Sequence, residues 1–195
     1  MITLEEAEKK LAQIDLLPFS IPLLSWTPII KAIFKTMPKR TWIFSGARAR
    51  IGAVYRGVSV GRLADPKAGA KPYKIAPNSN HSARRALQAV GSALHTQQPT
   101  LCILADAALA QGEFYQALEL SSRYQAPVIF VLIRYPIDQP GSPLVSQSTL
   151  SIQDLCTQNN IAYIHSQAEE HTIRAHVQHA CQSLKPILIE TKLEK

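Results

Sequence analysis

From residue 100 onward the chain alternates between two hydrophobic rhythms. Compact apolar runs such as LCIL and VIFVLI are followed by segments whose apolar positions recur every three or four residues. The first rhythm predicts strands and the second predicts helices. The resulting order is strand 100–105, helix 111–124, strand 127–133, loop 134–147, helix 150–158, strand 161–165, helix 169–184 and strand 186–191. Strands separated by helices imply crossovers and a parallel sheet. The predicted class is therefore α/β, a doubly wound parallel sheet of about five or six strands.

The first hundred residues are less regular. Residues 3–14 read as a short helix, with Thr3 as N-cap and Glu6 three positions later. Residues 16–35 are apolar and interrupted by Pro18, Pro22 and Pro28, after which Ile29, Ile30, Ile33 and Phe34 follow helical spacing. One reading is a helical N-terminal arm packed on the core or on another subunit. The other is a membrane-surface contact by 16–40, with Lys31, Lys35, Lys39 and Arg40 as its basic flank. Residues 42–44 suggest a short strand or a turn and residues 48–56 a helix. Residues 64–80 read as a long irregular loop rich in Pro, Gly, Lys and Asn. Residues 82–95 form a helix whose small residues, Ala83, Ala86, Ala89, Gly91 and Ala93, suit close packing against another helix. The expected division is an arm over 1–40 and one domain over 41–195.

Composition narrows the class. A chain of 195 residues, 46% hydrophobic and 18% charged, describes one globular domain without extended disorder. The formal net charge is +7, and the basic residues concentrate before residue 90. Such a bias attracts nucleic acid, anionic lipid, phosphorylated ligands or an acidic chain. No nucleic-acid motif accompanies it and aromatics are only 7%, so no nucleic-acid partner is expected. Cys102, Cys156 and Cys181 lie far apart without CxxC spacing, which argues against a zinc site or a disulfide framework and suits a reducing compartment. The acidic start, MITLEEAEKK, is unlike a signal peptide, and no run is long enough to span a bilayer. A cytoplasmic location is expected.

The candidate chemistry sits in residues 101–132. Asp106 ends the first long strand, where ligands bind in parallel α/β folds. A strand ending in Gly-Asp-Gly, then a helix, then a strand ending in Asn, is the metal–diphosphate motif of thiamine-diphosphate enzymes. Asp and Asn offer oxygen to magnesium, and the glycines let the backbone approach the diphosphate. Here Ala105-Asp106-Ala107-Ala108, Gln111-Gly112 and Gln116-Ala117-Leu118 fall in register with the GDGA, QG and EAL run of the E1 component α subunit of 2-oxoacid (pyruvate and branched-chain) dehydrogenases. Residues 126–131, APVIFV, resemble the LPVIFV strand of that family, and residues 88–93, QAVGSA, its QAVGAA helix. Ile43-Phe44, Arg48 and Tyr55-Arg56-Gly57 resemble its VF…YR…RG segment. Asn160-Ile161-Ala162-Tyr163 and residues 186–190, PILIE, resemble its YGI and PxLIE pieces. The resemblance runs over about residues 40–191 and implies the thiamine-diphosphate-binding fold.

The resemblance also marks what is missing. Both glycines of the turn are alanine, Ala105 and Ala107. The second metal ligand falls in Ile133-Arg134-Tyr135, where no asparagine or aspartate stands, and the diphosphate-binding Tyr-Arg pair falls on Ala47-Arg48. A histidine-bearing loop of the family would lie beyond Lys195. The resemblance thus implies vestigial cofactor-binding positions at Arg48, Asp106 and Ala107, with Asp106 as the vestigial metal ligand, and no catalytic residue. Arg134 and Tyr135 are candidates to fill the site, the Arg134 guanidinium pairing with Asp106 in place of a cation. The expectation is a degenerate, non-catalytic E1α-like protein that binds no cofactor and keeps the fold for association, as a homo-oligomer or with an E1β-like subunit. Helices 82–95 and 111–124 are the candidate surface. The alternative is a working α-type subunit that decarboxylates a 2-oxoacid with thiamine diphosphate and magnesium, completed by a β-type partner.

Other clusters weigh less. His171, His176 and His179 share the helix 169–184 without a completing carboxylate or cysteine and read as a solvated face. Arg84 and Arg85 open a helix beside Asn80 and His81, either as an anion pocket or as surface charge. Glu113, just after Gly112, is either a general base or, as is commoner, an exposed first-turn acid favoured by the helix dipole.

Overall fold

In the computed structural model the described residues are 6–7, 26–63, 71–77, 79, 81–135 and 151–193. The expected helix 3–14, the segment 16–25, residues 64–70 and the loop 136–147 lie wholly or largely outside them. Among them five strands form one parallel sheet: β1 (Ile43–Phe44), β2 (Thr100–Ala105), β3 (Val128–Arg134), β4 (Ala162–Ser166) and β5 (Ile187–Lys192), in the order β1-β2-β3-β5-β4. The helices are α1 (Thr27–Thr36), α2 (Ala47–Arg50), α3 (Val60–Leu63), α4 (Ser82–Thr96), α5 (Gly112–Arg123), α6 (Ile152–Gln158) and α7 (Glu170–Ser183).

The sheet is covered on both faces, which is why β2 and β3 read as unbroken apolar runs rather than alternating ones. Leu101, Ile103, Ile129, Val131, Ile133, Ile187 and Ile189 pack in one cluster with residues of α1 and α7. Cys102, Leu104, Phe130, Leu132 and Leu188 pack in the other with α4, α5 and α6. Side chains alternate across the sheet, so each strand feeds both layers. The chain passes β5 to reach β4 and then returns through α7, the helix of the opposite layer. The fold is thus α/β and doubly wound.

Two local expectations change, and one of the two readings of the 29–34 stripe, packing on the core, is met. Helix α1 buries Ile29, Ile30, Ile33 and Phe34 in the sheet's own core. Its apolar stripe is therefore inside the protein, and of its basic residues Lys31 pairs with Glu170 on α7 while Lys35 lies 5.0 Å over the Tyr55 ring. Among the described residues no helix is long and apolar enough to cross a membrane. The helix foreseen over 48–56 is split, with α2 followed by a 3-10 turn over Ile51–Arg56 that ends at Gly57, φ 91°. Gly52 sets that packing: a Cβ there would fall 2.3 Å from the Phe34 ring. After β2 there is no tight turn but a 3-10 segment, Asp106–Ala110. Alanine at 105 and 107 does not favour the positive φ that glycine permits, and neither residue adopts it.

Candidate functional site

Parallel strands bring their carboxyl ends to one edge of the sheet. Asp106 follows β2, Arg134 is the last residue of β3, and Glu190 and Tyr163 lie on β5 and β4. Their side chains form a continuous polar row across four neighbouring strands, ordered Asp106, Arg134, Glu190, Tyr163. Asp106 is fully buried. Its Oδ2 accepts the Tyr135 backbone N–H at 2.8 Å, and its Oδ1 is ion-paired with Arg134 Nε. Arg134 Nη1 donates to Glu190 Oε1 at 3.2 Å, and Glu190 Oε2 accepts the Tyr163 hydroxyl. One guanidinium therefore serves two buried carboxylates.

The register explains the reach. Leu132 pairs with Glu190 and Arg134 with Lys192, so Arg134 lies two residues beyond Glu190's partner on the neighbouring strand. Residues two apart on a strand share a face, and a long side chain spans the diagonal. The face is the one covered by α4, α5 and α6.

Burial dominates the electrostatics. It raises the Asp106 carboxyl above its ordinary range, against the lowering pull of the Tyr135 N–H and Arg134. It also raises the Tyr163 phenol, and the hydrogen bond to Glu190 adds to the shift. The Tyr135 phenol is raised by burial and partly restored by Arg48.

Arg48, on α2 just past β1, reaches the same edge. Its Nη1 donates to the Tyr135 hydroxyl at 2.6 Å, and its guanidinium lies 5.5 Å from the Trp26 ring and 5.9 Å from the Tyr135 ring. Trp26 and Tyr135 are themselves 5.8 Å apart. Arg48, Asp106, Arg134 and Tyr135 thus form one connected cluster. Ala107 sits half-buried in the adjoining 3-10 segment, contributing a methyl where the motif has glycine.

Glu190, Tyr163 and Trp26 were not singled out as site residues from sequence. Glu190 carried a readable signal, a lone carboxylate in the apolar run ILIE of a buried strand. Tyr163 and Trp26 had no comparable signal.

The remaining candidates fall elsewhere. His176 Nδ1 is 3.0 Å from Ser166 Oγ, and His171 is 3.3 Å from Glu169. Among the described residues no group of three His, Cys, Asp or Glu side chains could hold a metal. Burial pushes the Cys102 and Cys156 thiols up to about 12. Glu113 lies 3.9 Å from Arg84. The alanine stripe of α4 is consumed inside the chain: Ala83, Ala86, Ala89 and Ala93 pack in one cluster with Phe114, Ala117 and Leu118 of α5. Gly91, the remaining small residue of the stripe, is exposed.

No family model and no curated protein matches the sequence. Solved structures do. Transketolase from Campylobacter jejuni superposes with a TM-score of 0.72 at 14% identity, over 97% of this chain and 36% of the transketolase. A Mycobacterium smegmatis protein described as a thiamin diphosphate-dependent enzyme superposes with a TM-score of 0.59 at 12% identity, over 86% of this chain and 31% of its own. The chain spans about a third of the length of each. With its two-faced parallel sheet and these neighbours, the chain has an α/β fold of thiamine-diphosphate-binding type.

Proposed function

We propose that this chain is a non-catalytic relative of the E1α subunits, in which Arg134 has taken the place of the metal and the fold serves association with another subunit. The observation that carries the reading is the Asp106–Arg134–Glu190 arrangement, with one guanidinium between two buried carboxylates.

The residues at this edge do not fit a magnesium diphosphate. Magnesium demands near-octahedral oxygen ligation. Asp106 has Oδ2 on the Tyr135 N–H and Oδ1 on Arg134. Ile133, Arg134 and Tyr135 add no carboxylate or amide. The positive charge that would balance the carboxylates comes from Arg134, and a second cation beside it meets like-charge repulsion. Ala105 and Ala107 add Cβ atoms where the motif keeps the backbone bare. Arg48 is the one position that keeps a diphosphate-binding residue type, and its Nη1 is bonded to Tyr135. Association itself rests on the E1α likeness, whose partner is an E1β-like chain or a second copy, through a surface other than the alanine stripe of α4.

Thermal unfolding with millimolar thiamine diphosphate and magnesium tests the reading. A ligand that binds only the native state raises the Tm by linkage. No change is expected, alone or with an E1β-like chain present. A saturable rise in either case overturns the proposal and favours a working subunit completed by its partner.

A further inference from the structure

We infer that the amino edge of the sheet beside β1 is a docking surface for an anionic lipid bilayer, held by charge without insertion. Charge is spread unevenly along the chain: from Trp26 to Ala105 the only acid is Asp65. The loop 38–41 leads into β1 with Lys39 and Arg40 exposed. The 3-10 turn Lys71–Tyr73, followed by Lys74, leads into Ile75, which bridges to Ile43 of β1 in parallel. Both segments therefore reach the same end of the same strand, opposite the edge that carries Asp106.

One buried side chain brings the two segments together. Arg56 donates to the carbonyls of Met37, Pro38 and Thr41 on the first and of Tyr73 on the second. Thr41 and Tyr73 share one Nη1, so the two backbones stand side by side. The Ile43 N–H adds a bond to the Lys74 carbonyl at 2.9 Å, and Lys74 Nζ lies 5.1 Å over the Trp42 ring. Lys39, Arg40, Lys71 and Lys74 thus spring from adjacent, pinned backbone. Among the described residues none of the four has a carboxylate partner. Their mutual repulsion is not offset there.

The surroundings select the partner. A second copy offers little unpaired acid: Glu113, Glu119, Glu169 and Glu170 already lie against Arg84, Arg123, His171 and Lys31 in that order. Protein interfaces have an aromatic or apolar centre and are poor in lysine. Here the exposed residues of the two segments are Pro38, Lys39, Arg40, Lys71 and Pro72. The exposed large hydrophobes, Tyr124 and Leu184, end α5 and α7 instead. Nucleic acid asks for open aromatic faces, or for a helix or ribbon that enters a groove. The Trp42 ring is half-buried beneath Lys74, and α1, which leads into the loop, is packed in the core. An anionic bilayer needs only clustered cations, each contributing about five-fold to partitioning.

Co-sedimentation of the full chain with vesicles tests this, using phosphatidylcholine alone and phosphatidylcholine with about one-third phosphatidylserine. At about 0.1 M salt the anionic vesicles should bind at least about 100-fold more tightly, and about 0.5 M salt should remove the difference. Lys39→Gln with Arg40→Gln should weaken binding about 25-fold without lowering the Tm. Arg84→Gln with Lys192→Gln removes the same charge from the carboxyl edge, beyond the screening length, and should change binding less than about two-fold. Equal binding to both vesicles overturns the assignment. So does an equal loss in the two double variants, or wild-type affinity in the first. Tighter binding to a DNA duplex or to polyglutamate, at matched concentration of anionic groups, also overturns it.

Discussion

Arg134 and Arg56 are both buried arginines, and the protein accommodates them in opposite ways. Arg134 lies between two carboxylates, Asp106 and Glu190, at the carboxyl edge of the sheet. Arg56, at the other edge, has only backbone carbonyls: Thr41 at 2.8 Å and Tyr73 at 3.1 Å from Nη1, Met37 at 3.2 Å and Pro38 at 3.0 Å from Nη2. Desolvation without a carboxylate lowers Arg56 to about 10. One guanidinium neutralises charge. The other satisfies four acceptors and pins the turn after α1 to the segment around Tyr73. The difference separates a site from a staple: a staple needs donors, whereas the row at Asp106 needs a positive charge.

The comparison breaks most sharply at Arg134. Arg134→Met leaves Asp106 and Glu190 facing each other without a cation and should cost about 3–5 kcal/mol at neutral pH. Its pH dependence gives the sign. Without Arg134 the folded-state Asp106 carboxyl rises further above its unfolded value. Such groups contribute stability that is present below the unfolded pKa and lost as pH rises through the folded one. The deficit should therefore shrink between pH 7 and pH 4, as read by urea unfolding at each pH. A deficit constant over that range would mean that charge is not what Arg134 supplies.

Arg56→Met should cost somewhat less, about 2–4 kcal/mol, because some of its acceptors can find water. Its deficit should be flat from pH 4 to 7, since no carboxylate is exposed by the change. A pH-dependent loss here would erase the distinction between the two arginines. Arg48→Ala should cost about 1–2 kcal/mol through the lost Tyr135 bond and ring contacts. Tyr163→Phe, which removes one donor from Glu190, should cost about 1 kcal/mol, read by urea unfolding at pH 7.

Much of this architecture was legible in the residues. The strands β2, β3 and β5 stand out because each is an apolar run between helices, and their parallel pairing follows from the crossovers. Asp106 was legible as a strand-end carboxylate, and Arg134 as the residue standing where a metal ligand is absent. Glu190 was not, although a single acid within ILIE marks a buried charge in need of a partner. The 3-10 segment after Asp106 escaped notice because the motif suggests a turn, while two alanines do not supply its dihedral angles. The partnering of α4 also depended on three dimensions. Small residues announce close packing, but not whether the neighbour is α5 of the same chain or another subunit.

The central claim is that Arg134 serves as the cation of Asp106, and a double-mutant cycle on this pair tests it most directly. Asp106→Asn keeps an acceptor for the Tyr135 N–H and removes the buried charge, so it should be mild alone. Combined with Arg134→Met it should recover part of the loss, giving a coupling of about 2–3 kcal/mol at pH 7. Additive single effects, with a coupling near zero, would contradict the claim.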